Sequence, residues 1–447
     1  MDDVVDDDPI GVAGRAPVRA ALRALQATGD ETIRYAGAIE KTRFADALAG
    51  ESSISREIID FALFGDRRCT LFTGANRNGL LLDTIGNLVF GADDDTLAHA
   101  AAAPQSTVPI SYSSEYEPRE FWFFPDRRAA LETVAPTDSD FLASHEQLLG
   151  RVPAEVGGPA AADGSVTITL PGLVGDSGMG SPHYILTLTG ASRERLLFSR
   201  TTYTSALRSR EVLRTVRQPT IAASPFCMTT FFGFDNRLLL PPFFPVERNS
   251  DGVFGVTVQR VIEGSCVAFL PSVLLHAPPE HRAFAGDEAW TEPKRVRIAD
   301  VLLASILVHE ARLLTAGPAE RLLHLGRYLR QLASLNALEF EAFVRSAQEL
   351  RNLTFTALLE ARLSEHGGSP SFWADDARKA IEFLRRTTLM TDYIVPRDVG
   401  NARDVDGARS LTRELVAKFG SLLEVWPTLV ESARRLRAKG CRVSEPV

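Results

Sequence analysis

Three consecutive carboxylates, Asp93, Asp94 and Asp95, follow a short apolar run, Leu88, Val89 and Phe90. Like charges repel, and desolvation at the mouth of a buried strand adds to that cost. A divalent cation relieves it. Hard oxygen donors favour Mg2+ or Mn2+, which bind through one or two carboxylates together with substrate phosphates. A solvated acidic turn is the plain alternative. The residues upstream supply context. Gly74, Ala75 and Asn76 suggest a turn, and Leu80, Leu81, Leu82 and Ile85 recur at helical spacing. Gly86 and Asn87 end that helix, because Gly tolerates the left-handed backbone of a helix C-terminus. Leu88 to Phe90 then reads as a short buried strand. Residues 74–96 therefore predict turn, helix, strand and acidic loop in succession, and the rest of the chain is organised around them.

A second stretch, 222–279, carries further chemistry. Residues 227–232 predict a strand, Gly233 to Arg237 a turn, and 253–261 a helix after a proline-rich segment. Asp251 stands just before that helix. It could cap the helix through its orphan N–H groups, or serve as a general base, or do both. The apolar run 267–275 ends at His276. A neutral imidazole is a competent Mn2+ ligand beside carboxylates, and a plain loop histidine is the alternative. Gly175-Asp176-Ser177-Gly178 copies the nucleophile motif of chymotrypsin-like proteases. That chemistry needs a histidine base oriented by a buried aspartate. No matching histidine segment lies upstream, so a polar loop is expected.

Taken together, these residues resemble the GT-A fold glycosyltransferases. Their pattern is an Arg-Asn turn, a helix, a Gly, a short apolar strand and Asp-x-Asp. Here Arg77-Asn78, Gly86, Leu88 to Phe90 and Asp93/Asp95 occur in that order, with Asn78 15 residues before Asp93. The resemblance covers roughly residues 4–285. It implies an α/β, Rossmann-like nucleotide-diphospho-sugar transferase domain followed by an all-α C-terminal domain. It implies that Asp93 and Asp95 hold Mn2+ or Mg2+, with His276 completing the site. Asp7, Arg77, Asn78, Asp94 and Asp235 would contact the nucleotide-sugar. Asp251 would be the catalytic base of an inverting transfer to an acceptor hydroxyl. Two departures stand out. Ser250 occupies a position where an acid is often found. Val4-Val5 running into Asp6, Asp7 and Asp8 looks like the family's second strand, so the usual first strand and helix are lacking; a disordered acidic tail is the other reading. A rival is a catalytically degenerate GT-A domain serving as a binding or scaffold module. A nucleotidyltransferase also uses paired aspartates, but no Gly-rich phosphate loop bearing Arg or Lys supports it.

The remaining chain sets bounds. Its 447 residues suggest two or three domains, and 45% hydrophobic with 24% charged residues is ordinary for a globular protein. A net charge of −8 argues against a nucleic-acid binder. Four scattered cysteines give neither a zinc signature nor a disulfide framework and suit a reducing cytoplasm. No signal peptide or membrane span is expected. The Ala, Arg and Leu bias suggests a bacterial protein. Strand–helix alternation before residue 96 favours an α/β sheet. Residues 105–196 are expected to be an insertion on the acceptor side, with 108–116 and 120–124 forming a hairpin. The glycosyltransferase domain would span 1–299. From 300 to 447 apolar residues at three- and four-residue spacing predict helices that hold the acceptor or a second copy of the chain.

Overall fold

The computed structural model describes residues 2–7, 12–29, 31–102, 109–137, 140–153, 156, 164–284, 286, 290, 296–309, 317–388, 395–400 and 404–447. The chain is mixed α/β with a helical C-terminal third. In the organising stretch, the helix Thr73–Asp83 leads to the strand Leu88–Ala92, and Asp93 to Asp95 turn the chain into a second strand, Thr96–Ala102. The expected turn at Gly74 to Asn76 is instead the first turn of that helix. The amides of Ala75 and Asn76 both donate to Phe72 O, which starts the ladder early.

Ten strands form one mixed sheet. Its path runs Leu88–Ala92, Phe231–Asp235, Ser165–Asp176, Ser265–His276, Thr220–Ala222, Ser111–Ser113. The two long strands are parallel to each other and carry most of the branching. Each has a proline at its middle, Pro171 and Pro271. Proline cannot donate to a ladder, so each strand changes partners there. Before Pro271 the second long strand pairs with Thr220–Ala222; beyond it, with Thr96–Ala102. The first long strand passes from Phe231–Asp235 to Glu211–Thr215 in the same way. The carbonyls of Pro171 and Pro271 accept from Arg119 and Thr215 side chains. This corrects the insertion reading: Ser165–Asp176 lies at the centre of the sheet. It also corrects the hairpin, because Ser111–Ser113 pairs with Thr220–Ala222 and Glu120–Phe123 pairs with Glu211–Thr215.

A separate three-stranded sheet places Thr32–Gly37 between Asp2–Asp7 and Glu445–Pro446. Asp2–Asp7 is an edge of this sheet and Leu88–Ala92 an edge of the large one. Among the described residues no strand joins the two.

The helices Ile298–Val308, Pro318–Ser334, Ala337–Glu365, Ser371–Thr388 and Val405–Ala438 occupy the regions where apolar spacing predicts them. The first of these ends at Val308, where His309 turns extended. Pro318–Ser334 packs along Val405–Ala438 at Gly326 and Gly420, where a Cβ on either would lie 2.5 or 2.7 Å from the other's carbonyl oxygen. One apolar core runs from Phe44 and Phe61 through Phe234 and Phe254 to Leu302, Leu415 and Trp426. Trp426 Nε1 donates to Leu240 O at 2.8 Å and Lys418 pairs with the Asp66 carboxylate at 3.0 Å. The expected boundary after residue 299 therefore separates two kinds of chain that share one core. Among the described residues no helix is long and apolar enough to cross a membrane.

Candidate active site

Backbone pairing assembles the acidic turn against two other segments. Asp93 N donates to Thr230 O at 2.7 Å, and Thr96 N closes the turn on Asp93 O at 3.1 Å. On the other side Thr96 pairs with His276, and Ala277 N donates to Asp95 O at 2.8 Å. The turn thus bridges the end of the strand Leu88–Ala92 and the end of Ser265–His276. This brings the Asp95 carboxylate to 3.2 Å from His276 Nε2. Arg282 stands 4.0 Å from the same carboxylate.

Asp93 faces Arg77, which comes from the helix Thr73–Asp83. Arg77 Nη2 donates to Asp93 Oδ1 at 2.9 Å and to Thr229 O at 3.3 Å. Asp93 keeps 43% of its side-chain surface open. Even so, desolvation by the surrounding protein raises its pKa to about 6 against the pull of Arg77, and Asp95, Asp251 and Asp94 add to the rise. The hydrogen bond from His276 holds the Asp95 carboxyl below its usual range despite burial. Burial works against the His276 imidazolium, but Asp95 and the Asp176 carbonyl outweigh it and raise its pKa.

Asp251 sits in the first turn of the helix Ser250–Val261, where Asn249 is the N-cap residue. Asp251 is therefore not the N-cap residue itself, but from the first turn it accepts one of the helix's orphan N–H groups. Its Oδ1 accepts from Gly252 N at 2.9 Å and its Oδ2 from Thr229 N at a long 3.4 Å. Thr229 and Thr230 link two acids and one base, since the Thr229 amide touches Asp251, the Thr229 carbonyl accepts from Arg77, and the Thr230 carbonyl holds Asp93 N. Cys227 lies beside this group, and burial and then Asp251 push its thiol well above the ordinary range, which favours its protonated form. Behind it the half-buried Glu117 pairs with both Arg119 and Arg214.

Two expected nucleotide contacts are corrected. Asn78 is fully buried and holds the fold: its amide donates to Ala62 O and Phe243 O, and its oxygen accepts from Phe243 N at 2.7 Å. Asp235 pairs with Arg237 and lies opposite Leu88, whereas Ala92, next to Asp93, lies opposite Phe231. It therefore sits at the far end of its strand from the acidic turn. Asp94 is exposed at the tip of the turn. Asp7 is at the end of the strand Asp2–Asp7 beside Gly37, and its side chain lies outside what the structure describes. Residues the sequence did not single out join the site: Arg282 beside Asp95, and Asp176 with Arg210 behind His276. The motif around Asp176 was visible, but it resembled a protease sequence and hid a different role.

No family model, no curated protein and no solved structure matches the chain. Among the described residues no three His, Cys, Asp or Glu side chains stand together as a ready metal cage. Asp95 and His276 do fit as a pair of donors. With bonds of about 2.1 Å, adjacent ligands of an octahedral Mg2+ lie about 3 Å apart, close to the observed 3.2 Å. Such ions take their other ligands from water and substrate phosphate. Asp93, expected as a third ligand, is paired with Arg77 instead.

Proposed function

We propose that the chain is a metal-dependent glycosyltransferase of the GT-A kind, moving a sugar from a nucleotide-diphosphate sugar to an acceptor hydroxyl. One observation carries the reading. Residues far apart in sequence, namely Arg77, Asp93, Asp95, Asp251 and His276, converge around one acidic turn, and all five are among those the resemblance picks out. Asp95 and His276 would hold Mn2+ or Mg2+, which supplies Lewis-acid neutralisation of charge on the leaving diphosphate. Arg77 contributes a second cationic group and exchanges part of its contact with Asp93 for a phosphate oxygen. The Asp251 carboxylate accepts the proton of the acceptor hydroxyl. The acceptor oxygen then bonds to the anomeric carbon as the bond to the diphosphate oxygen breaks, and the electron pair leaves with the diphosphate. Attack opposite the leaving group inverts that carbon.

The test is the melting temperature with UDP, GDP or dTDP, each with and without Mn2+. A ligand that binds only the native state raises it by mass action. A rise with one nucleotide that requires metal supports the donor site. No rise with any nucleotide removes it and leaves the scaffold reading.

A further inference from the structure

We infer that the turn Gly175 to Gly178 is the supporting layer of this site, and that Asp176 is a positioning residue that fixes the orientation of His276. The carbonyl oxygen of Asp176 lies 2.6 Å from His276 Nδ1. A carbonyl only accepts, so the hydrogen resides on Nδ1. Nε2, 3.2 Å from the Asp95 carboxylate, is then the nitrogen that donates to Asp95 when the ring is charged and offers its lone pair when the ring is neutral. Histidines that serve as ligands or bases are commonly oriented in this way through their other nitrogen.

The carbonyl is held still by its own side chain. The Asp176 carboxylate is almost fully buried. Its Oδ1 accepts from Arg210 Nη2 at 2.7 Å and from Gly178 N at 2.8 Å, and stands 3.9 Å from His276 Nδ1. The next amide, Ser177 N, donates to Arg210 O at 2.8 Å. Gly175 is specified by the same packing. It has φ +108°, and a Cβ there would lie 2.4 Å from His276 O. Nothing else in this turn looks like a nucleophile: Ser177 is buried, and its Oγ accepts from Met179 N at 3.3 Å. The protease-like sequence is thus a cradle for a histidine.

The experiment reads the imidazole directly. In the full chain labelled with 15N-histidine, the two ring nitrogens of His276 report the tautomer, and His276→Gln assigns the signal. At a pH high enough for the ring to be neutral, wild type is expected to show the Nδ1–H form. Asp176→Ala removes the acceptor of Arg210 and Gly178, and should give a mixture of tautomers. Asp176→Asn retains an acceptor oxygen and should restore the single form. Glu211→Gln, at the neighbouring sheet position opposite Asp176, should leave the signal unchanged. If Asp176→Ala does not fold, Arg210→Gln removes the same anchor from the other side and should give the same mixture. A single Nδ1–H form in every folded variant overturns the proposal, as does an Nε2–H form in the wild type. The binding arm rests on the glycosyltransferase reading: Mn2+-dependent nucleotide affinity should fall about tenfold in Asp176→Ala. An altered tautomer in a protein that binds no nucleotide keeps the positioning role and removes only that reading, whereas unchanged affinity alongside a changed tautomer limits Asp176 to the histidine.

Discussion

At the scale of single residues, the acids of the cleft separate into different tasks. Asp95→Asn should abolish metal-dependent nucleotide binding and leave the melting temperature nearly unchanged, because its carboxylate is partly exposed and its side-chain partners are His276 and a distant Arg282. Calorimetric titration decides it; unaltered binding would remove the metal assignment. Asp251→Asn should keep nucleotide binding and lower transfer by about 10^2–10^4-fold. Full transfer in that variant would give the base role to another group. Asn78→Ala is predicted to act on stability alone. It strands a buried N–H and two carbonyls, so about 2–3 kcal/mol or more should be lost in denaturant unfolding. His145 supplies the pH test. Its ring packs on Phe90 and Phe141, and burial pushes its pKa down to about 3. The unfolded chain binds a proton near pH 6.5 that the native protein refuses, so this contribution is complete above pH 6.5 and is lost as pH falls toward 3. His145→Gln should therefore lose less melting temperature than wild type between pH 6.5 and 4; parallel slopes would contradict the assignment.

At the scale of elements, the decisive feature is how strands change partners. Pro171 and Pro271 interrupt the parallel ladder between the two long strands at corresponding places, and the halves beyond them hold the glycine–aspartate turn and His276. The cleft is built at the ends of these second halves. The helical side depends on equally local features. Gly326 and Gly420 let Pro318–Ser334 and Val405–Ala438 touch backbone to backbone. Gly420→Ala should force the pair apart and cost about 1–3 kcal/mol. A thermal melt checks this, and an undiminished melting temperature would mean the helices yield freely.

At the scale of the whole molecule, the helical third is part of the α/β core. Trp426 reaches across to Leu240, and Asp83 is bonded by Arg442 and Ser444 from the C-terminal end. Trp426→Ala should remove about 3–5 kcal/mol. It should lower one calorimetric transition shared by both parts. Two separable transitions, with only the later one affected, would show that the helices fold on their own. The same continuity suits a cleft whose walls must hold carboxylates close together against their repulsion.

The amino-acid sequence by itself determined the local elements. Periodicity located the helices because each buries one face, and alternating or apolar runs located the strands for the same reason. It also supplied the candidate residues Arg77, Asp93, Asp95, Asp251 and His276, since charge, spacing and flanking turns are local properties. Tertiary structure alone decided partners. Asn78 and Asp235 carry suitable side chains, yet a buried hydrogen-bond set and the wrong end of a strand take them out of the cleft. Ser165–Asp176 looked peripheral because its central place comes from pairing with strands up to a hundred residues away. Asp176 gained its role the same way. Its neighbours in sequence suggested a nucleophile, and only the register that sets Gly175 beside His276 turns its carbonyl toward the imidazole. Hydrogen bonds between distant segments depend on the whole packed chain, and no window of residues contains them.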